Sequence, residues 1–179
     1  MARNTVIPTG IANEFGASEI IVTKTDLQGK ITYANDVFCR LSELSTQDVL
    51  GQPHNLIRHP DMPRSIFKLL WERIQAGKEI FAFVLNMAMS GNHYWVLAHV
   101  TPTIVDGQIV GYHSNRRRPT EGEISAIQNV YTQLLAEEKR HSSPRDGMDA
   151  ATKLLEEMLA DAGQSYDEFF WAIRNSSRV

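Results

Sequence analysis

Three apolar runs separated by two short turns, within residues 80–115, constrain this chain more than any other feature. "IFAFVLNMAM" (80–89), "HYWVLAHVTP" (93–102) and "QIVGYHSN" (108–115) are strand-like, and the "SGN" and "VDGQ" segments joining them carry hairpin chemistry. An earlier pair adds to them. "EIIVTKTDL" (19–27) is rich in β-branched residues, "DLQG" (26–29) is a turn ending in glycine, and "KITYAND" (30–36) supplies the answering strand. Two strands, short helices, a longer helix, three hairpin-linked strands and then more helices make an α+β pattern built on a five-stranded antiparallel sheet.

Between the two groups of strands the chain is helical. Asp36 is placed to cap "VFCRLSEL", and "STQDVLG" gives a further helical turn stopped at Gly51. Asp61 is a good N-cap for "RSIFKLLWERIQAG", in which Ile66, Phe67, Leu70, Trp71 and Ile74 fall at helical spacing. After the strands, Pro119 breaks the chain and "TEGE" (120–123) forms a capping box. Ile124, Ile127, Tyr131 and Leu134 then make a short heptad-like stripe. "HSSPRDG" (141–147) has linker composition. Beyond it an amphipathic helix through Ala151, Leu155 and Leu159 stops at Gly163, and "SYDE" (165–168) is a second capping box before "FFWAI". About 30 terminal residues are too few to bury their own apolar faces and must dock on something.

The division that follows is an arm at 1–18, a central domain at 19–118, a helix at 119–140, the linker at 141–147 and a helical extension at 148–175. Composition narrows the function. The net charge of −3 argues against a general nucleic-acid surface, and "RRRP", starting at Arg116, is expected to be a solvated edge. Cys39 is the single cysteine, which suits a reducing compartment and a cytoplasmic location. No run approaches the ~20 apolar residues of a membrane span, so direct membrane insertion is not expected. There is no Gly-rich phosphate loop, zinc-spaced Cys/His set or nucleophile motif, so an enzyme is not expected.

The segment "LIRHPDMP" (56–63) sets Arg58, His59 and Asp61 between two prolines at the edge of the core. A cation and donors suit a pyrophosphate, and a carboxylate can accept from a sugar or ring or can hold Arg58 in place. The plainer alternative is that Asp61 only caps the helix and Arg58 only pairs with it.

Together with "TDLQ", "AND", "GQPHN", "HYWV" and "GY.S.R", this segment resembles the flavin-binding PAS domains of bacterial aerotaxis receptors, over residues 19–118. The resemblance implies a PAS fold, with helices on one face of the sheet followed by the C-terminal helices, and the chain is expected to be a stand-alone sensor or adaptor. It implies FAD in a pocket between the helices and the inner sheet face, contacted by Asn35, Arg58, His59 and Asp61 and lined by Phe67 and Asn86. It implies redox or oxygen sensing for a signalling partner such as a chemotaxis-type receptor. Two departures stand out: Ile80 occupies the family's tryptophan position, and apolar residues replace basic ones at Leu85, Met87 and Met89.

If Asn86 faces the pocket, then Phe81, Phe83, Leu85, Met87 and Met89 face outward, an apolar stripe that must be covered by the terminal helices or by a second subunit. Photoadduct chemistry of the light-oxygen-voltage type needs a cysteine where this chain has His54, and Cys39 on the first helix is expected to be a small buried hydrophobe. Haem is the rival cofactor, with His54, His59, His93, His99 and His113 as candidate axial ligands. A third reading is an interaction module of the same fold, its pocket filled or holding a small apolar ligand.

Overall fold

The computed structural model describes residues 6–176 of the chain. Strands β1 (Ile21–Thr25), β2 (Ile31–Ala34), β3 (Ile80–Met87), β4 (His93–Val105) and β5 (Gln108–Arg117) form one antiparallel sheet in the order β2-β1-β5-β4-β3. Helices α1 (Asp36–Ser42), α2 (Thr46–Val49) and α3 (Arg64–Gln75), with a 3-10 turn at His54–Ile57, carry the chain from edge strand β2 across the inner face to edge strand β3. Helices α4 (Glu121–Lys139), α5 (Pro144–Asp161) and α6 (Tyr166–Ser176) complete the fold.

Local chemistry accounts for most element ends. Gly29, Gly51, Gly77 and Gly107 all take the left-handed conformation, which ends a helix or turns a hairpin without a Cβ clash. At Gly29 the need is double, because a Cβ there would also lie 2.8 Å from the Trp71 ring. Both capping boxes form: Thr120 with Glu123 and Ser165 with Glu168 each exchange side chain and backbone bonds.

Three local expectations are corrected. Asn35, not Asp36, is the N-cap of α1, its Oδ1 accepting from the Phe38 N–H at 3.1 Å. Asp61 caps no helix, since α3 starts at Arg64 after Pro63 and has no side-chain cap; Glu138 of α4 reaches across to accept from Ser65 N–H at 3.0 Å instead. The linker is shorter than its composition suggests. Ser143 caps α5 and Pro144 occupies its first turn, where a missing N–H does no harm. Gly147 is therefore helical, and it packs so close to α4 that a Cβ would lie 2.5 Å from the Glu138 carbonyl. In the N-terminal arm residues 1–5 lie outside the described residues, and residues 9–13 run beside the β3–β4 turn, with Ala12 bridged to His93.

The outer sheet face is covered by the chain's own terminal helices. Phe170 of α6 stacks on Phe81 and Phe83 with centroids 5.5 and 5.1 Å apart, and Tyr131 of α4 lies against Trp95. Of the predicted outward stripe, Phe83, Leu85 and Met87 are buried and Phe81 is half-buried, while Met89 falls past the end of β3 and is exposed. The free edge of β3 is also closed. Its carbonyls at Phe81, Phe83 and Leu85 accept in turn from the Tyr166 hydroxyl (3.0 Å), the Tyr131 hydroxyl (2.6 Å) and the His59 N–H (3.4 Å). An unpaired edge is a template for unwanted strand pairing, and here two helices and a loop occupy it. Arg73–Asp167 and Lys68–Asp149 tie α6 and α5 back to α3. No helix among the described residues is long and apolar enough to cross a membrane.

Candidate functional site

A cavity of about 380 Å³ lies between the inner sheet face and α3, within the range of small-molecule sites. Strand periodicity builds its floor. Val84 and Asn86 from β3, Ala98 and Val100 from β4, Tyr112, Ser114 and Arg116 from β5, and Thr23 and Thr25 from β1 all line it. Phe67, Leu70, Trp71 and Ile74, one face of α3, make the roof. His54, Asn55 and Arg58 close one side.

The walls are mainly apolar, with a few convergent polar groups. Trp71 meets Tyr112 edge to face at 5.5 Å, so aromatic surface reaches the cavity from the helix. Ile80, at the family's tryptophan position, is buried in the core and is not among the lining residues. Arg58 donates to the Met62 carbonyl at 2.9 Å and lies over the Phe67 ring at 5.0 Å, and its backbone bridges to Asn86. Burial and, secondarily, the neighbouring Arg64 pull its guanidinium below the ordinary arginine value. Three buried polar atoms without a hydrogen-bond partner, Asn86 Nδ2, Ser114 Oγ and Arg116 Nη1, belong to residues lining this one cavity. Buried polar groups in folded proteins are nearly always paired, so orphans grouped around one cavity mark where a polar ligand or water would bond.

The six sequence-nominated residues separate into two groups. Arg58, Phe67 and Asn86 line the cavity together. Asn35 does not: its side chain is engaged in structure, Oδ1 accepting from Val22 N–H and Phe38 N–H while Nδ2 donates to the Ile20 carbonyl. His59 and Asp61 are also absent from its lining. His59 borders a separate surface groove with Pro60, Arg64, Met87 and Lys139. The Asp61 side chain is 58% exposed, its carboxylate 3.9 Å from both His59 Nδ1 and Lys139 Nζ. What joins Asp61 to His59 closely is backbone: Asp61 N–H donates to His59 Nδ1 at 3.1 Å.

Sequence reasoning overlooked Trp71, His54 and above all Arg116 as lining residues. The "RRRP" run is not uniformly a solvated edge, for Arg116 is 4% exposed and faces inward with its even-numbered neighbours Tyr112 and Ser114. Period-two alternation carried one residue past the expected strand end would have found it. Of the candidate axial histidines, His54 and His113 line the cavity, and His54 Nε2 accepts from Arg116 at 2.6 Å. His99 pairs with Glu79 and stacks on Phe81 of the outer face. Cys39 is half-buried, its Sγ 3.7 Å from Thr46 Oγ1.

A pH dependence follows from His59. Burial, opposed by Asp61 and aided by His93, lowers its imidazole below the ordinary 6.5. In the unfolded chain His59 takes up a proton first as pH falls, so its contribution to stability is complete above 6.5 and declines below it, down to the lower folded value. Urea midpoints at about pH 7.5 and about pH 5.5 should show a loss on acidification that is smaller in His59→Gln. Equal losses in the two proteins would contradict this.

The comparisons agree with the geometry. The PAS fold model matches residues 19–113. The aerotaxis receptor of Escherichia coli strain K12 is 42% identical over 116 residues, covering 65% of this chain and 23% of the receptor. The nitrogen fixation regulatory protein of Klebsiella pneumoniae is 28% identical over 101 residues, covering 56% of this chain and 20% of that protein. The chain thus spans about a quarter or less of the length of these relatives. Among solved structures, the light-state structure of the blue-light photoreceptor Aureochrome1 LOV superposes with a TM-score of 0.55 at 24% identity, covering 61% of this chain and 88% of that one, a likeness of fold. A five-stranded antiparallel sheet in the order β2-β1-β5-β4-β3, a helix-roofed cavity on its inner face and these matches give one conclusion: the chain belongs to the PAS family.

Proposed function

We propose that this chain is a cytoplasmic, non-catalytic sensor or adaptor whose cavity holds FAD and which reports redox or oxygen status to a signalling partner such as a chemotaxis-type receptor. The observation that carries the reading is the grouping of Asn86, Ser114 and Arg116, each with an orphaned buried polar atom, around a cavity walled by Phe67, Trp71 and Tyr112. A flat ring with an apolar face and a hydrogen-bonding edge suits that donor set, and the 42% identity to the aerotaxis receptor supports it.

Flavin supplies reversible electron transfer when bound. The chain's own residues do the rest. Asn86 offers an amide that can donate or accept, so it can follow a change in the protonation of its partner. Trp71 and Phe67 exclude water from above. Arg58 lies where the cavity meets the surface groove and suits the phosphate end. His59 and Asp61 hold that loop in shape, through the His59 bond to Leu85 and the Asp61 bond to His59.

A route to the surface runs along β3. Asn86 sits on the strand whose edge carbonyls are held by the His59 loop, by Tyr131 of α4 and by Tyr166 of α6. A shift of that strand on reduction would be felt by both helices, and the partner would read their position or the face they leave. Haem is less well served, because the Nε2 of cavity-lining His54 is already an acceptor for Arg116.

An absorption spectrum of freshly purified protein tests the reading. Flavin bands are expected, whereas a Soret band, or a colourless protein that takes up no FAD, would overturn it. Arg58→Ala should lower FAD retention at least about tenfold, the size of one lost charge-assisted contact, without unfolding the domain. Unchanged retention on gel filtration would remove Arg58 from the site.

A further inference from the structure

Among the described residues no carboxylate forms an ion pair with Arg116. Nη2 donates to Thr23 Oγ1 at 2.6 Å and to His54 Nε2 at 2.6 Å, and Phe38 lies 5.9 Å beneath the guanidinium. Nη1 has no partner. Burial pulls the group down to about 10, opposed by Tyr94. A guanidinium kept in such surroundings costs stability unless something else meets it.

Its place in the sheet indicates what meets it. Arg116 pairs with Ala98 on β4, and Ala98 pairs with Ala82 on β3, whereas Arg58 bridges to Asn86. Four residues along a strand and three inter-strand spacings, the last from β3 out to the Arg58 bridge, separate the two backbones by roughly 20 Å. Arg58 borders the surface groove as well as the cavity, but Arg116 lies deep under α1 and His54. A pyrophosphate is strongly hydrated and is most cheaply held at the rim; a flat ring with carbonyl acceptors can lose its water and go inward.

We propose that Arg116 is a specificity-determining residue for the ring end of the ligand, donating to an acceptor edge, while Arg58 serves the phosphate end. This rests on the flavin reading above. His54 and Thr23 then act as positioning residues, since each accepts from Nη2 and fixes the plane of the guanidinium.

The test is a fluorescence titration of the full chain, stripped of ligand, with FAD and with riboflavin, which has the ring but no phosphate. Arg116→Met should weaken both flavins by a similar factor, about ten- to a hundredfold, and Arg116→Lys should recover part of that loss. Arg58→Ala should weaken FAD more than riboflavin. The inference is overturned if Arg116→Met binds riboflavin as the unaltered chain does, if it loses affinity for FAD alone, or if Lys and Met at this position bind equally. Should Arg116→Met lose its cooperative thermal transition, Arg116→Gln takes its place in the comparison. If the unaltered chain binds neither flavin, the flavin reading itself fails; if it binds both and the Arg116 variants match it, only the present inference fails.

Discussion

Replacing Phe170 with alanine should destabilise the chain by about 3–5 kcal/mol, the usual cost of removing a buried phenyl ring. Phe170 is 2% exposed and touches Phe81 and Phe83, so it joins α6 to the outer sheet face at two aromatic contacts, and its own helix neighbour Trp171 packs against it. The hole could not refill easily. Tyr166 and Tyr131 are fixed by their bonds to the Phe81 and Phe83 carbonyls, and Arg174 is fixed by Glu123, a carboxylate only 2% exposed. Chemical denaturation should give the full loss with an unchanged m-value. A loss below about 1 kcal/mol would mean that α6 does not hold this face in solution.

The second large effect concerns the same face. A chain ending at Lys139 keeps α4 but loses α5 and α6, and with them Phe170, Tyr166 and the ion pairs to Lys68 and Arg73. Phe81 and part of Phe83 would then meet water beside the Phe81 carbonyl, which has lost its hydroxyl donor. An exposed aromatic patch next to an open strand edge recruits another chain. Light scattering should find at least two chains per particle, or the protein should precipitate. A soluble monomer at the same concentration would show that α5 and α6 are dispensable as a cover.

Much of this was readable from the residues. The hairpins, both capping boxes and the parity that turns Asn86 inward and Phe83 outward are short-range consequences of turn chemistry and strand periodicity, and they hold in the structure. The need for a cover over Phe81 and Phe83 was also legible, because five apolar side chains in a row cannot face water. Which element supplies the cover was not. That depends on long-range packing of α6, and the same stripe would suit a second subunit equally well.

The site was legible in part. Arg58, Phe67 and Asn86 meet at the cavity, yet Asn35 and Asp61 show how adjacent polar residues defeat a reading by type. Asn35 and Asp36 are both good caps, and only the backbone decides that Asn35 takes the role. Pro63 ends the extended segment so close to α3 that Asp61 is left one turn away, pointing to solvent. Arg116 was hidden by its neighbours Arg117 and Arg118, which made a strand residue look like part of a surface run.

The most direct measurement of the central claim is a crystal structure of the full chain as purified, with its native ligand. The account predicts planar tricyclic density over the inner sheet face, within hydrogen-bonding distance of Asn86 and Arg116 and roofed by Trp71. A cavity filled by solvent or by its own side chains, in a chain that also releases no flavin on denaturation, would contradict it.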